Sequence, residues 1–230
     1  MLNRLIGGWT LSGEIPPPSR PLPPPASLNY FHKENPQSII IRGSIAPGKK
    51  DADYFAFTVL DFILGSGGFR SHITAEIRNR MGLAYSAGSF YSSRPEFGLF
   101  AAYVMTGSNS TARSIDALNM IVERAKTENV GKEELQWAKD SLINSFIFSF
   151  SATHRVVLEK AMLEYEDLPG DFLSTYRDRI SRVTADDVRN AAIRHLDENT
   201  ATLFVLGDES GFDKPLSEFG EVKVVGKEQD

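Results

Sequence analysis

The stretch Glu76-Ile-Arg-Asn-Arg-Met-Gly-Leu-Ala-Tyr-Ser86 crosses from one kind of backbone to another within a single short run. Ile77 continues an apolar series begun by Phe69 and Ile73 at i, i+4, i+8 spacing, which predicts a short helix over about 69–80. Gly82 breaks that period, and Tyr85 opens a strand-like run to Ser92. A helix end followed at once by a strand can aim Arg78 and Tyr85 at one spot. The guanidinium offers fixed charged donors for a carbonyl or an oxyanion, and the phenol a hydroxyl that donates or accepts.

Working outward, Phe97–Met105 is a second strand joined to the first through Arg94-Pro95-Glu96, a length that favours a hairpin. Upstream, Ser38–Ile45 alternates, with Ile39, Ile41, Gly43 and Ile45 on one face and Ser38, Ile40, Arg42 and Ser44 on the other. Asp51–Leu64 is apolar nearly all round and predicts a largely buried helix, stopped at Gly65-Ser-Gly-Gly68. Downstream, helices are expected over about 111–127 (capped by Ser108 or Ser110), 132–150, 154–165, 171–180 and 185–196. The last starts at a capping-box-like Thr184-Ala-Asp-Asp187. Thr200–Leu206 is again strand, with a short final one at Val222–Val225. The sequence therefore predicts an α+β fold, an antiparallel sheet packed on helices, in β-α-β-β-α-β order with extra helices.

Apolar residues at 41% and charged residues at 24% of 230 describe an ordinary globular composition. A net charge of −5 argues against a nucleic-acid binder, and no stretch has the roughly 20 apolar residues needed to span a bilayer. With no cysteine, disulfides, thiolate metal sites and cysteine nucleophiles are excluded. The four histidines, His32, His72, His154 and His195, form neither His-x-x-Glu-His nor its inverse. His72 and Glu76 lie one helical turn apart, which is an incomplete ligand set and reads as a solvated face, so no metal is expected on this chain alone. Gly65–Gly68 follows a helix and lacks Gly-Lys-Ser/Thr, so it reads as a flexible corner rather than a phosphate loop. No serine elbow is present.

"PPPSRPLPPP" at 16–25 holds seven of the twelve prolines and predicts an extended strut. Residues 1–9 before it read as a helix tail closed by Gly7-Gly8.

Leu64-Gly-Ser-Gly-Gly-Phe-Arg-Ser71, then Glu76-Ile-Arg and Gly82-Leu-Ala-Tyr-Ser86, resembles the second-domain signature of the pitrilysin/insulinase family of zinc metalloendopeptidases. That family includes mitochondrial processing peptidase and many bacterial two-domain peptidases. Val130-Gly-Lys-Glu-Glu-Leu135, Val183-Thr-Ala-Asp-Asp-Val188 and Phe204-Val-Leu-Gly-Asp208 continue the resemblance over roughly 28–208. It implies a clamshell of two homologous α+β domains, in which the first holds zinc through His-x-x-Glu-His and a further glutamate. The second has no metal and supplies an Arg and a Tyr seven positions apart that contact the peptide; Arg78 and Tyr85 match that pair. Met81 stands where the family often has Arg.

On this resemblance, 1–27 is the end of a preceding domain plus a linker, and 28–230 is the non-zinc domain. It carries no catalytic residue of its own and is inactive alone. Zinc belongs to a preceding domain or a catalytic partner subunit, and the other partners are a peptide substrate and a homo- or hetero-oligomeric assembly. Two other readings remain open: a non-catalytic scaffold of the same fold, and a proline-motif ligand for an adaptor.

Overall fold

In the computed structural model, the described residues are 7, 8, 13 and 19–226. The helix tail expected at 1–9 and the prolines at 16–18 lie, apart from Gly7 and Gly8, outside them. Residues 19–26 form no ladder and are exposed; Arg20 reaches Asp51 at 3.3 Å.

Among the described residues, six strands make one open sheet: β1 (Ser27–His32), β2 (Gln37–Pro47), β3 (Ala84–Ser93), β4 (Phe97–Gly107), β5 (Thr202–Gly207) and β6 (Val222–Val224), in the order β3-β4-β2-β5-β1-β6. The four strands expected from alternation form its antiparallel part, β3-β4-β2-β5. The α+β class and the split order therefore hold. The sheet is mixed rather than wholly antiparallel, because β1 adds to β5 in parallel and β6 adds to β1 in parallel. β1 was missed by the sequence reading because Ser27–His32 follows directly on the prolines, whose extended run masks its Leu28/Tyr30 alternation.

Tyr54–Asp61 forms α1, continued by the wider π-helical turn Phe62–Ser66. The long helix α2 (Thr111–Thr127) buries Ile115, Leu118, Ile121 and Val122, the stripe its period predicts. Then come α3 (Lys132–Phe146), α4 (Thr153–Tyr165), α5 (Phe172–Arg182) and α6 (Ala185–His195). The predicted helix 132–150 stops at Phe146 and tightens to a 3₁₀ turn over Ile147–Phe150. The core lies between the helices and one sheet face, with Phe57, Leu60, Ile63, Ile77, Phe100 and Ile115 fully buried. Side chains of this size each contribute about 1.5–3 kcal/mol when removed from water.

Two helix starts show how far a cap can lie from its helix. At α6 the Thr184 hydroxyl accepts from Asp187 N–H (3.2 Å) while the Asp187 carboxylate accepts from Thr184 N–H (2.9 Å), as the local sequence predicts. At α2, Ser110 occupies the cap position but its side chain makes no capping bond. Instead the Asp213 carboxylate accepts from Ala112 N–H (2.7 Å) and Arg113 N–H (3.1 Å). Partial burial opposes ionisation there, but those two donors hold the Asp213 carboxyl below its ordinary pKa. A cap a hundred residues distant leaves no local signal.

On β2 the buried face is the one bearing Ser38, Ile40, Arg42, Ser44 and Ala46, while Ile39, Ile41 and Ile45 are half-buried on the other. Ser38 is satisfied by Thr111, with the two hydroxyl oxygens 2.7 Å apart. Arg42 is not so provided for.

Candidate functional site

The corner that carries Arg78 is built on close backbone approach. Gly65 packs so tightly against β3 that a Cβ there would sit 2.2 Å from Ser89 N. The segment read as a flexible corner is thus a packed one. Gly68 has φ +75, a left-handed conformation suited to glycine, and turns the chain into the 3₁₀ turn Gly68–Arg70. Beneath it, the buried Asp61 accepts a hydrogen bond from the Ser89 hydroxyl at 2.6 Å. Burial pushes the Asp61 carboxyl above its ordinary pKa.

The expected helix over 69–80 is π-helical at Thr74–Arg80, with Met81 N–H bonded to Glu76 C=O at 2.9 Å. Ile73 and Ile77 are buried as predicted, but Phe69 is not: its ring is 67% exposed. The 3₁₀ turn swings Phe69 out of the apolar series. Gly82, with φ +64, ends the helical segment, and Leu83 N–H returns to Ile77 C=O at 2.9 Å. Tyr85 then falls at an irregularity of the ladder: Ala84 pairs with Thr106 and Ser86 with Met105, which leaves Tyr85 as the extra residue of a bulge. The bulge re-aims the phenol outward, where it is 83% exposed.

These devices bring the two predicted residues together. The Arg78 guanidinium carbon lies 5.0 Å from the centre of the Tyr85 ring and 4.9 Å from that of Phe69. Such contacts contribute about 0.5–1 kcal/mol each at exposed positions and restrict the arginine's rotamers. Among the described residues, neither the guanidinium nor the phenol hydroxyl is engaged in a hydrogen bond; Arg78 is half-buried and Tyr85 exposed. Phe69 is the site residue that sequence reasoning missed, since its spacing with Ile73 and Ile77 mimics a core position.

The pair His72 and Glu76 separates. His72 Nε2 lies 2.6 Å from Glu134 Oε1 of α3, and Glu76 accepts from Arg80 Nε at 2.7 Å. A different group, Asp51, Asp53 and His195, places candidate ligand atoms within 4.8 Å of one another. These residues do not fit zinc, because the Asp53 carboxylate is already taken by the Arg194 fork (2.6 and 2.5 Å) and by His195 Nε2 (2.9 Å). Partial burial opposes ionisation of Asp53, but these partners hold its carboxyl below the ordinary pKa. The guanidinium occupies the cation's seat.

The family model described as "Peptidase M16 inactive domain" matches residues 1–142. A protein of Streptomyces coelicolor named as an uncharacterized zinc protease is 27% identical over 209 residues, 84% of this chain and 44% of that one. A Helicobacter pylori protein named as a non-peptidase homolog is 26% identical over 80% of this chain and 42% of that one. The chain thus spans less than half the length of these relatives. Among solved structures, a peptidase M16 inactive domain from Pseudomonas fluorescens superposes with a TM-score of 0.78 at 22% identity, covering 86% of this chain and 47% of that chain. Among the described residues, no helix is long and apolar enough to cross a membrane.

Proposed function

The chain belongs to the inactive-domain family of the M16 peptidases, and from that premise we propose that it is the substrate-binding half of a two-domain zinc endopeptidase. The observation that carries this reading is the Arg78–Tyr85 pair, juxtaposed at a surface corner with its donors not engaged in hydrogen bonds among the described residues. Zinc and the hydrolytic water belong to the other half, in a preceding domain or on a catalytic subunit. The part of this chain is to hold the peptide backbone against that half. The Arg78 guanidinium donates to a carbonyl oxygen of the bound peptide, and the Tyr85 hydroxyl offers a second donor where negative charge develops. The two flanking rings narrow the rotamers of Arg78 and the bulge sets the direction in which Tyr85 leaves the sheet, which lowers the reorganisation that binding requires.

On this reading residues 1–27 are the end of the preceding domain plus the linker. Polyproline II rises about 3.1 Å per residue, so ten residues in that form are long enough to bridge roughly 30 Å between facing domains. The test is reconstitution. The 230-residue chain alone is expected to hydrolyse no peptide, and peptidase activity is expected when it is joined to or mixed with the zinc-bearing half. Activity of that half that is indifferent to this chain would refute the proposal.

A second reading, a scaffold without catalysis, is favoured by one observation: a relative covering 80% of this chain carries the name non-peptidase homolog. The same reconstitution separates the two, because a scaffold forms the complex without conferring activity.

A further inference from the structure

On the helix-covered face, toward the sheet edge opposite β3, lies a cleft of about 760 Å³ bounded by β1, β5, the C-terminal segment and α2. Its volume is in the range of small-molecule sites, about 300–1,000 Å³. Arg42 of β2 lines it and is only 5% exposed. Its Nη1 is buried and, among the described residues, has no hydrogen-bond acceptor. No carboxylate among the described residues lies within ion-pair distance of it. Burial pushes the Arg42 pKa down, and Glu198, Glu123 and Asp197 push it back up from farther away. Guanidinium stays charged under all ordinary conditions, so Arg42 cannot shed this charge as a buried lysine would. A buried positive charge without a direct partner is unfavourable, and an anion that completes it is bound correspondingly well.

The rest of the cleft selects among anions. Glu123, Glu198 and Glu221 line it together with Lys126 and Lys223, and Glu123 is already paired with Lys126 at 2.5 Å. With Arg42 the three cations and three carboxylates cancel, so the cleft carries no surplus positive charge to hold a multiply charged phosphate. Leu28, Val122, Leu203 and Phe219 supply an apolar wall that a bare inorganic ion leaves uncovered. A carboxylate matches the planar fork of arginine with two parallel hydrogen bonds at a single negative charge. We propose that this cleft binds a monocarboxylate with an apolar body of a few carbons, its carboxylate paired with Arg42. The inference stands apart from the Arg78 corner, which sits at the β3 edge of the sheet, and does not depend on the peptidase reading.

The test titrates the 230-residue chain with N-acetyl-leucine, leucine and hexanoate, each against hexanol and inorganic phosphate. The readouts are the Arg42 side-chain ¹⁵N–¹H signals and the melting temperature. Saturable shifts of the Arg42 signals with at least one carboxylate, and none with hexanol or phosphate, are expected. Preference for N-acetyl-leucine identifies a peptide C-terminus, for leucine a free amino acid, and for hexanoate a fatty acid. Arg42→Met removes the charge at similar volume and is expected to weaken binding at least about ten-fold, the loss of one charge-assisted contact. Phosphate binding in place of the carboxylates, or Arg42 signals unmoved at saturating carboxylate, overturns the proposal. The wild-type titration decides this even if Arg42→Met fails to fold. So does carboxylate affinity that is unchanged in a folded Arg42→Met, as expected if ordered water alone satisfies the guanidinium.

Discussion

Arg78 and Arg42 are the same side chain in opposite settings. Arg78 is half-buried at a surface corner, its charge flanked by two aromatic rings 4.9 and 5.0 Å away, and it makes no hydrogen bond among the described residues. Arg42 lies under a helix at 5% exposure with its charge unmatched at close range. The first is cheap to maintain because water still solvates it, and is useful because it is held in place. The second is costly to the isolated fold, and its cost is evidence of a ligand-binding task. A guanidinium is interpreted by what surrounds it, not by its position in a motif.

Variants that move one setting toward the other break or sharpen this contrast. The largest stability effect is expected at the floor of the Arg78 corner. Gly65→Ala forces a methyl into the β3 backbone and is expected to cost about 1–3 kcal/mol, read by urea unfolding. An unchanged midpoint would show that the corner is looser than its contacts imply.

Asp61 offers a second buried ionisable group, unlike Arg42 in that it can be neutralised by protonation. Its folded pKa is raised, so its contribution to stability is greatest below the ordinary carboxyl range. That contribution is lost as pH rises through the raised folded value. Asp61→Asn keeps an acceptor for Ser89 and is expected to equal or exceed wild type in melting temperature at pH 7, with the advantage vanishing near pH 4. A large loss at pH 7 would mean that the ionised carboxylate has a partner beyond Ser89 and Ser66.

The smallest effect is expected from Phe69→Ala, which leaves Arg78 with one ring instead of two. Losing about 0.5–1 kcal/mol of cation–π contact corresponds to roughly a two- to five-fold fall in kcat/KM of the assembled peptidase. No change would show that Tyr85 alone orients the arginine.

Much of this was legible in the sequence because it is local. The alternation at 38–45, the hairpin over 84–107 and the Thr184–Asp187 box each specify their own geometry within a few residues. That Arg78 and Tyr85 lie together was legible in a helix end that runs straight into a strand, while the role proposed for them comes from the family resemblance. What was not legible depends on distant chain. Asp213 caps α2 from a hundred residues away, and β1 pairs with a strand at the far end of the sequence. Phe69 fitted a helical period that Gly68 undoes by turning to positive φ. Arg42 was visible on an alternating face, but only the placement of α2 shows that face to be the buried one.

The central claim is that Arg78 and Tyr85 act on substrate while zinc is held elsewhere. It is tested most directly by measuring kcat and zinc content for Arg78→Ala and Tyr85→Phe in the full-length, zinc-loaded peptidase. Loss of a preorganised donor predicts a fall in kcat of about 10²–10³ for Arg78→Ala and a smaller fall for Tyr85→Phe, with zinc content at the wild-type level in both. Wild-type turnover in both variants, or loss of zinc along with activity, would contradict it.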